Sequence, residues 1–158
     1  VWRARRQKVA VDNRLPHEVA LDGLLLIEAM RLPEQGRFKE HTTLVSGTVR
    51  VYVERRYDIP ALERTTGEIR PDLKRTDMSP EVMALLIAFL QESDLIKFSE
   101  YTPDAESADR LLARARMIVE ATKPSSAADE VNGGAAPAKV QLATGTRRTA
   151  AQPMENGV

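Results

Sequence analysis

The chain has 158 residues, 23 basic and 23 acidic side chains, two histidines and no cysteine. That length suits one domain rather than two. The missing thiols exclude a disulfide scaffold, a thiolate-bound metal and thiol catalysis within this sequence. The longest apolar run, Val82 to Leu90, has nine residues and is too short to span a bilayer.

Residues 1–14 hold five basic groups and one acid. The first residue is Val1 rather than methionine, so the chain is expected to be a fragment or a processed product. Trp2 directly precedes a cluster of Arg3, Arg5, Arg6 and Lys8. An interfacial tryptophan followed by retained cations is the order expected just after a membrane span. Residues 1–14 therefore read as a basic juxtamembrane arm, with Trp2, Arg3, Arg5, Arg6 and Lys8 at the membrane surface. An ordinary basic arm is the other reading these residues allow.

Residues 15–122 hold 14 basic and 19 acidic groups. Phosphate binding needs a local basic excess, so this segment makes a poor nucleic-acid surface. A first helix is expected from Pro16 to about Met30, with Ala20, Leu24 and Ile27 beside Leu21 and Leu25 forming an apolar stripe. A second is expected from Arg37 to about Arg56. On it Phe38, His41, Val45, Val49 and Tyr52 recur every three or four residues, which makes His41 a packed core histidine rather than a metal ligand. Thr65 and Glu68 have capping-box spacing. The helix they open contains Gly67 and Pro71, so it is expected to be short and kinked or split. Ser79-Pro80-Glu81 starts a fourth helix, apolar all round and therefore expected to be the central one. Asp94 to Phe98 is expected to be a connecting turn with Leu95, Ile96 and Phe98 packed inward. Thr102-Pro103-Asp104 opens a fifth helix, whose inner stripe is Ala105, Ala108, Leu112, Ala115, Ile118, Val119 and Thr122. Only Thr48–Val53 offers a strand candidate, and it sits inside a helical pattern. The fold class is all-α, a compact bundle of about five helices. Residues 123–158 lack aromatic residues and apolar periodicity, and read as a disordered tail.

No residues are marked out for catalysis or for a cofactor. Glu63, Glu68 and Asp72 read as a cap and a solvated face rather than acid–base groups. Ser46-Gly47 lacks a nucleophile elbow, and Gly133-Gly134 lacks the lysine of a phosphate loop. The expectation is a chain that is not an enzyme. One polar cluster stands out: Arg50, Tyr52, Arg55, Arg56, Glu63, Thr65, Thr66 and Glu68. Arg50 and Glu54 are spaced to pair on one helical face. The cluster either latches the loop after the second helix, Glu63 and Glu68 facing the arginines, or docks a partner. Its composition favours the latch.

At this cluster a family resemblance becomes legible. Leu44-Val-Ser-Gly-Thr-Val-Arg50-Val-Tyr52-Val-Glu-Arg55-Arg56-Tyr57-Asp-Ile-Pro-Ala61-Leu-Glu63-Arg-Thr65-Thr66-Gly-Glu68 resembles a stretch of the membrane-anchored bacterial Bat (aerotolerance) proteins of the BatD-like group. Pro16-His17-Glu18 upstream is similar to the opening of their domain. Asp94-Leu95-Ile96-Lys97-Phe98 and Ile118-Val119-Glu120-Ala121-Thr122 downstream are similar too, in matching order. His41-Thr42 departs from an aromatic pair common in the family, and Arg70-Pro71 replaces an apolar helical pair. The resemblance implies a helical domain on the cytoplasmic face of the bacterial inner membrane, behind a single span. It implies protein partners, a MoxR-type AAA ATPase or a von Willebrand factor A membrane protein, and a non-catalytic scaffold or adaptor role in a chaperone-like or stress-tolerance assembly. It carries no catalytic residues, cofactor or nucleic acid with it. The competing expectation is a soluble helical nucleic-acid-binding regulator using Arg50, Arg55 and Arg56.

Overall fold

The structure, a computed structural model, describes residues 12–125. Trp2, Arg3, Arg5, Arg6 and Lys8, and the tail from 126 onward, lie outside the described residues. The described residues form an all-α bundle of five helices: α1 Pro16–Met30, α2 Phe38–Tyr57, α3 Thr66–Leu73, α4 Pro80–Phe98 and α5 Ala105–Thr122. A single 3₁₀ turn, Pro33–Gln35, joins α1 to α2. Gly36 follows it at φ 73°, a left-handed position that glycine occupies without steric cost. The strand candidate Thr48–Val53 lies within α2.

α4 is not buried all round: it packs against α2, α3 and α5 and leaves one face exposed, while α2 packs against α1, α4 and α5. Val45, Val49, Tyr52 and Val53 of α2 meet Leu24 and Ile27 of α1, Leu86, Phe89 and Leu90 of α4, and Leu111, Ala115 and Ile118 of α5 in one core. Fully burying each of the larger side chains contributes roughly 1.5–3 kcal/mol. The all-apolar look of α4 misleads because its outward face is Ala84, Ala88, Gln91 and Leu95, all exposed. Small apolar residues there imitate a buried face.

Three local expectations change. First, α4 does not stop at Asp94 but continues unbroken to Phe98. No glycine or proline interrupts it, and Lys97 pairs with Asp94 one turn back at 3.3 Å. Of the three residues expected to pack inward only Ile96 is buried; Leu95 and Phe98 are 58% and 82% exposed. Second, α3 is short as expected, eight residues, but continuous rather than split at Pro71. The proline forfeits a single backbone donor, while the cap ahead of it and buried Ile69 and Leu73 hold the turn pair. Third, the cap of α5 is Asp104, whose carboxylate accepts from the Ser107 N–H at 2.7 Å. That leaves Thr102 outside the helix and Ala105 exposed on its first turn.

Candidate functional site

The polar cluster lies at the C-terminal end of α2, and its members face different segments. Arg50 is 9% exposed. One of its terminal nitrogens donates to the Ala61 carbonyl at 2.8 Å and the Arg64 carbonyl at 3.0 Å. The other donates to Thr66 Oγ1 at 3.0 Å and lies 3.5 Å from Asp94 Oδ2. Thr66 Oγ1 in turn donates to that same oxygen at 2.9 Å. A planar guanidinium suits this task, because its donors fan out in fixed directions. The carboxylate facing Arg50 is therefore Asp94, from α4, rather than Glu63 or Glu68. Nor does Glu54 pair with Arg50: its carboxylate accepts from the Leu62 N–H at 3.2 Å and fastens the same loop. That loop turns sharply at Pro60, where the Ala61 N–H reaches the Ile59 carbonyl at 2.6 Å.

Thr65 and Glu68 form the capping box. The Glu68 carboxylate accepts from the Thr65 N–H and hydroxyl, each at 2.8 Å. Those bonds hold its carboxyl below the usual carboxylate range. Glu63 is exposed at the loop surface.

Arg55 and Arg56 point elsewhere. Arg55 donates to the carbonyls of Asp12 and Arg14 at 2.8 and 3.3 Å. Arg56 donates to the Thr122 carbonyl at 3.1 Å, and its guanidinium lies 4.8 Å from the centroid of the Tyr57 ring. The Tyr52 hydroxyl lies 2.9 Å from Thr122 Oγ1, which itself donates to the Ile118 carbonyl at 2.7 Å. Burial pushes the Tyr52 phenol upward, with the Thr122 bond opposing. Adjacent arginines thus grip the two boundaries of the helical body, residues 12–14 and Thr122.

At the other end of α2, His41 is 2% exposed. Its Nε2 lies 3.3 Å from the Ala108 carbonyl on α5, while its Nδ1 is buried without a partner. Burial lowers its pKa below the ordinary 6.5. No group of three or more His, Asp or Glu converges as a metal site among the described residues.

Two grooves flank the outward face of α2. One, of about 340 Å³, lies against α1 and is lined by Val19, Gly23, Leu44, Gly47 and Val51, with Arg55 among its walls. The other, of about 450 Å³, lies between α2, the 58–65 loop and the end of α4. Leu62 and Phe98 line it and are 53% and 82% exposed. Lys97 sits 5.1 Å from the Phe98 ring centroid. Gly47 borders both grooves, and a β-carbon there would meet nothing within 4 Å.

Sequence reasoning missed Asp94 and Thr122 as members of the network, and gave Glu54 the wrong partner. It also missed Leu62 and Phe98 as surface groups. Asp94 and Thr122 lie far along the chain from Arg50 and Arg56, and no local spacing reports such pairs. No family model, curated protein or solved structure matches the chain.

Proposed function

We propose that this is a non-catalytic protein-interaction domain, a scaffold or adaptor. In this reading it belongs to a single-pass bacterial inner-membrane protein, lies on the cytoplasmic face, and acts in an assembly with a MoxR-type AAA ATPase or a von Willebrand factor A protein. The observation that carries the interaction role is that Leu62 and Phe98, large, apolar and exposed, both line one groove. Such side chains grouped beside a concavity are the usual mark of a docking surface. The resemblance to BatD-like proteins supports the membrane setting and the partner classes. The nucleic-acid alternative fits less well. Arg50, Arg55 and Arg56 all donate to backbone carbonyls of this domain, and residues 15–122 carry more acids than bases.

The test is co-purification of the tagged full-length protein with the ATPase and the von Willebrand factor A protein from solubilised membranes. Leu62→Ser with Phe98→Ser should abolish recovery while leaving the melting temperature nearly unchanged. Recovery of neither protein by the unaltered chain would overturn the proposed partners.

A further inference from the structure

Arg70 and Lys74 stand apart from the other basic side chains. Among the described residues, every other lysine and arginine makes an ion pair or donates a side-chain hydrogen bond within the domain. The side chains of Arg70 and Lys74 make neither there, and both are exposed. They lie four residues apart, one turn along one face of α3. The negative end of the helix dipole favours cations at this point but does not neutralise them. Both line a third groove, of about 330 Å³, between α3 and α4. No acidic residue lines it. Its α4 side is Met83, Ala84, Ile87 and Ala88, bounded by Pro80 and Gln91. Ala84 and Ala88 are exposed and present only methyl groups, so another helix can approach closely over them. Two free positive charges thus flank an apolar trough without acids, on a segment that carries 19 acids against 14 bases.

Resting on the protein-interaction reading above, we propose that the α3–α4 groove docks an acidic amphipathic helix of a partner protein. Apolar side chains of that helix seat against Met83 and Ile87, over the two alanines. Two of its carboxylates, one turn apart, pair with Arg70 and Lys74. Charge complementarity selects this occupant, because both cations are free to pair; Arg50 and Arg64, beside the Phe98 groove, are already engaged within the domain. The dock uses α4 between Pro80 and Gln91 and shares no lining residue with the groove that holds Phe98. An anionic lipid surface would share the attraction to the cations, but its headgroups offer nothing apolar to fill the trough.

The test places a photo-reactive benzoylphenylalanine at Gln91 in the full chain and irradiates it in cells. The captured segment is then sequenced by mass spectrometry. The expected segment carries acids three or four residues apart beside an apolar stripe. Arg70→Gln or Lys74→Gln should lower capture about twofold to fivefold, the span of one exposed charge contact. Arg70→Glu with Lys74→Glu should lower it by at least about tenfold, because repulsion replaces both contacts. The melting temperature should hold in all of these, since neither side chain has a partner within the described fold. Changing the two carboxylates of the captured segment to lysine should then restore capture by the doubly reversed chain, which a misfolded variant cannot do. A segment without acidic excess, capture indifferent to charge reversal, or failure of that rescue overturns the acidic helix and leaves the interaction reading standing. Silence at Gln91 while a probe at Phe98 captures a protein overturns this groove alone. Silence at both positions overturns both readings. Binding to phosphatidylserine vesicles that the double reversal abolishes, with no protein captured at Gln91, replaces the helix by a membrane and overturns the proposal too.

Discussion

The two ends of α2 treat buried polar groups in opposite ways. At the C-terminal end Arg50, Tyr52 and Arg56 have acceptors in the loop, on α4 and on α5. At the N-terminal end His41 makes one contact and leaves Nδ1 without a partner. Both ends lie in the interior, where a satisfied polar network fixes geometry and an unsatisfied group costs stability. The satisfied end carries three irregular stretches: the 58–65 loop, residues 12–14 and the exit of α5. Irregular backbone lacks its own ladder of hydrogen bonds, so side chains must supply acceptors and donors. The His41 end joins two regular helices that already satisfy their backbones, and so it tolerates a half-used ring.

The comparison breaks most directly at Arg50. Arg50→Leu strands the buried Ala61 and Arg64 carbonyls and takes one partner from Thr66 and Asp94, which keep each other and Lys97. It should lower stability by about 3 kcal/mol, read from the urea midpoint. Arg50→Lys should recover little, because a single ammonium cannot reach the same four acceptors. A loss under about 1 kcal/mol for Arg50→Leu would sink the latch. Tyr52→Phe and Thr65→Ala should each lower stability by about 1 kcal/mol, one by removing a buried hydroxyl contact and the other by uncapping α3. The cap also has a pH signature. Glu68 has its folded pKa lowered by the Thr65 bonds, so its stabilisation is present above the ordinary value of 4.5 and is lost as pH falls through the lower folded value. Glu68→Gln should flatten that part of the acid limb in a pH series of melts.

The fold was largely legible because helix starts carry local chemistry. Pro16, Ser79-Pro80 and the Thr65–Glu68 box mark three helix beginnings within a residue or two of where they fall. The ends expected near Met30 and Arg56 also fall within a residue, but one end was misplaced. The stop expected at Asp94 rested on no glycine or proline, and α4 runs on to Phe98. Burial was misread where alanine forms an outward face, as at Ala84 and Ala88, since apolar composition does not distinguish a buried stripe from a small exposed one. The cluster around Arg50 was legible as a group because its members lie within 19 residues of sequence, from 50 to 68. Its wiring was not. Asp94 reaches Arg50 only because α4 packs on α2, and Thr122 reaches Arg56 only because α5 closes the bundle. Those pairings are products of tertiary packing, and sequence spacing holds no record of them.

The smallest effect sharpens the contrast from the His41 end. Burial lowers the folded pKa of His41, opposed by the Ala108 carbonyl, by Asp109 on α5 and by Glu34 in the 3₁₀ turn. The unfolded chain therefore takes up its proton first as pH falls below the ordinary 6.5. The neutral imidazole's contribution is whole above that pH and is lost progressively as pH drops toward the folded value. His41→Leu removes the titration and keeps the packing. The Ala108 carbonyl still has its own helical donor, so at pH 7.5 the variant should differ from the parent by less than about 1 kcal/mol. Between pH 6.5 and 5 the parent should lose stability relative to the variant, and the two urea midpoints should cross or converge. Parallel pH profiles would mean that His41 charges as freely in the fold as in the unfolded chain. The N-terminal end of α2 would then be wetter than its burial implies, and the contrast between the two ends would rest on Arg50 alone.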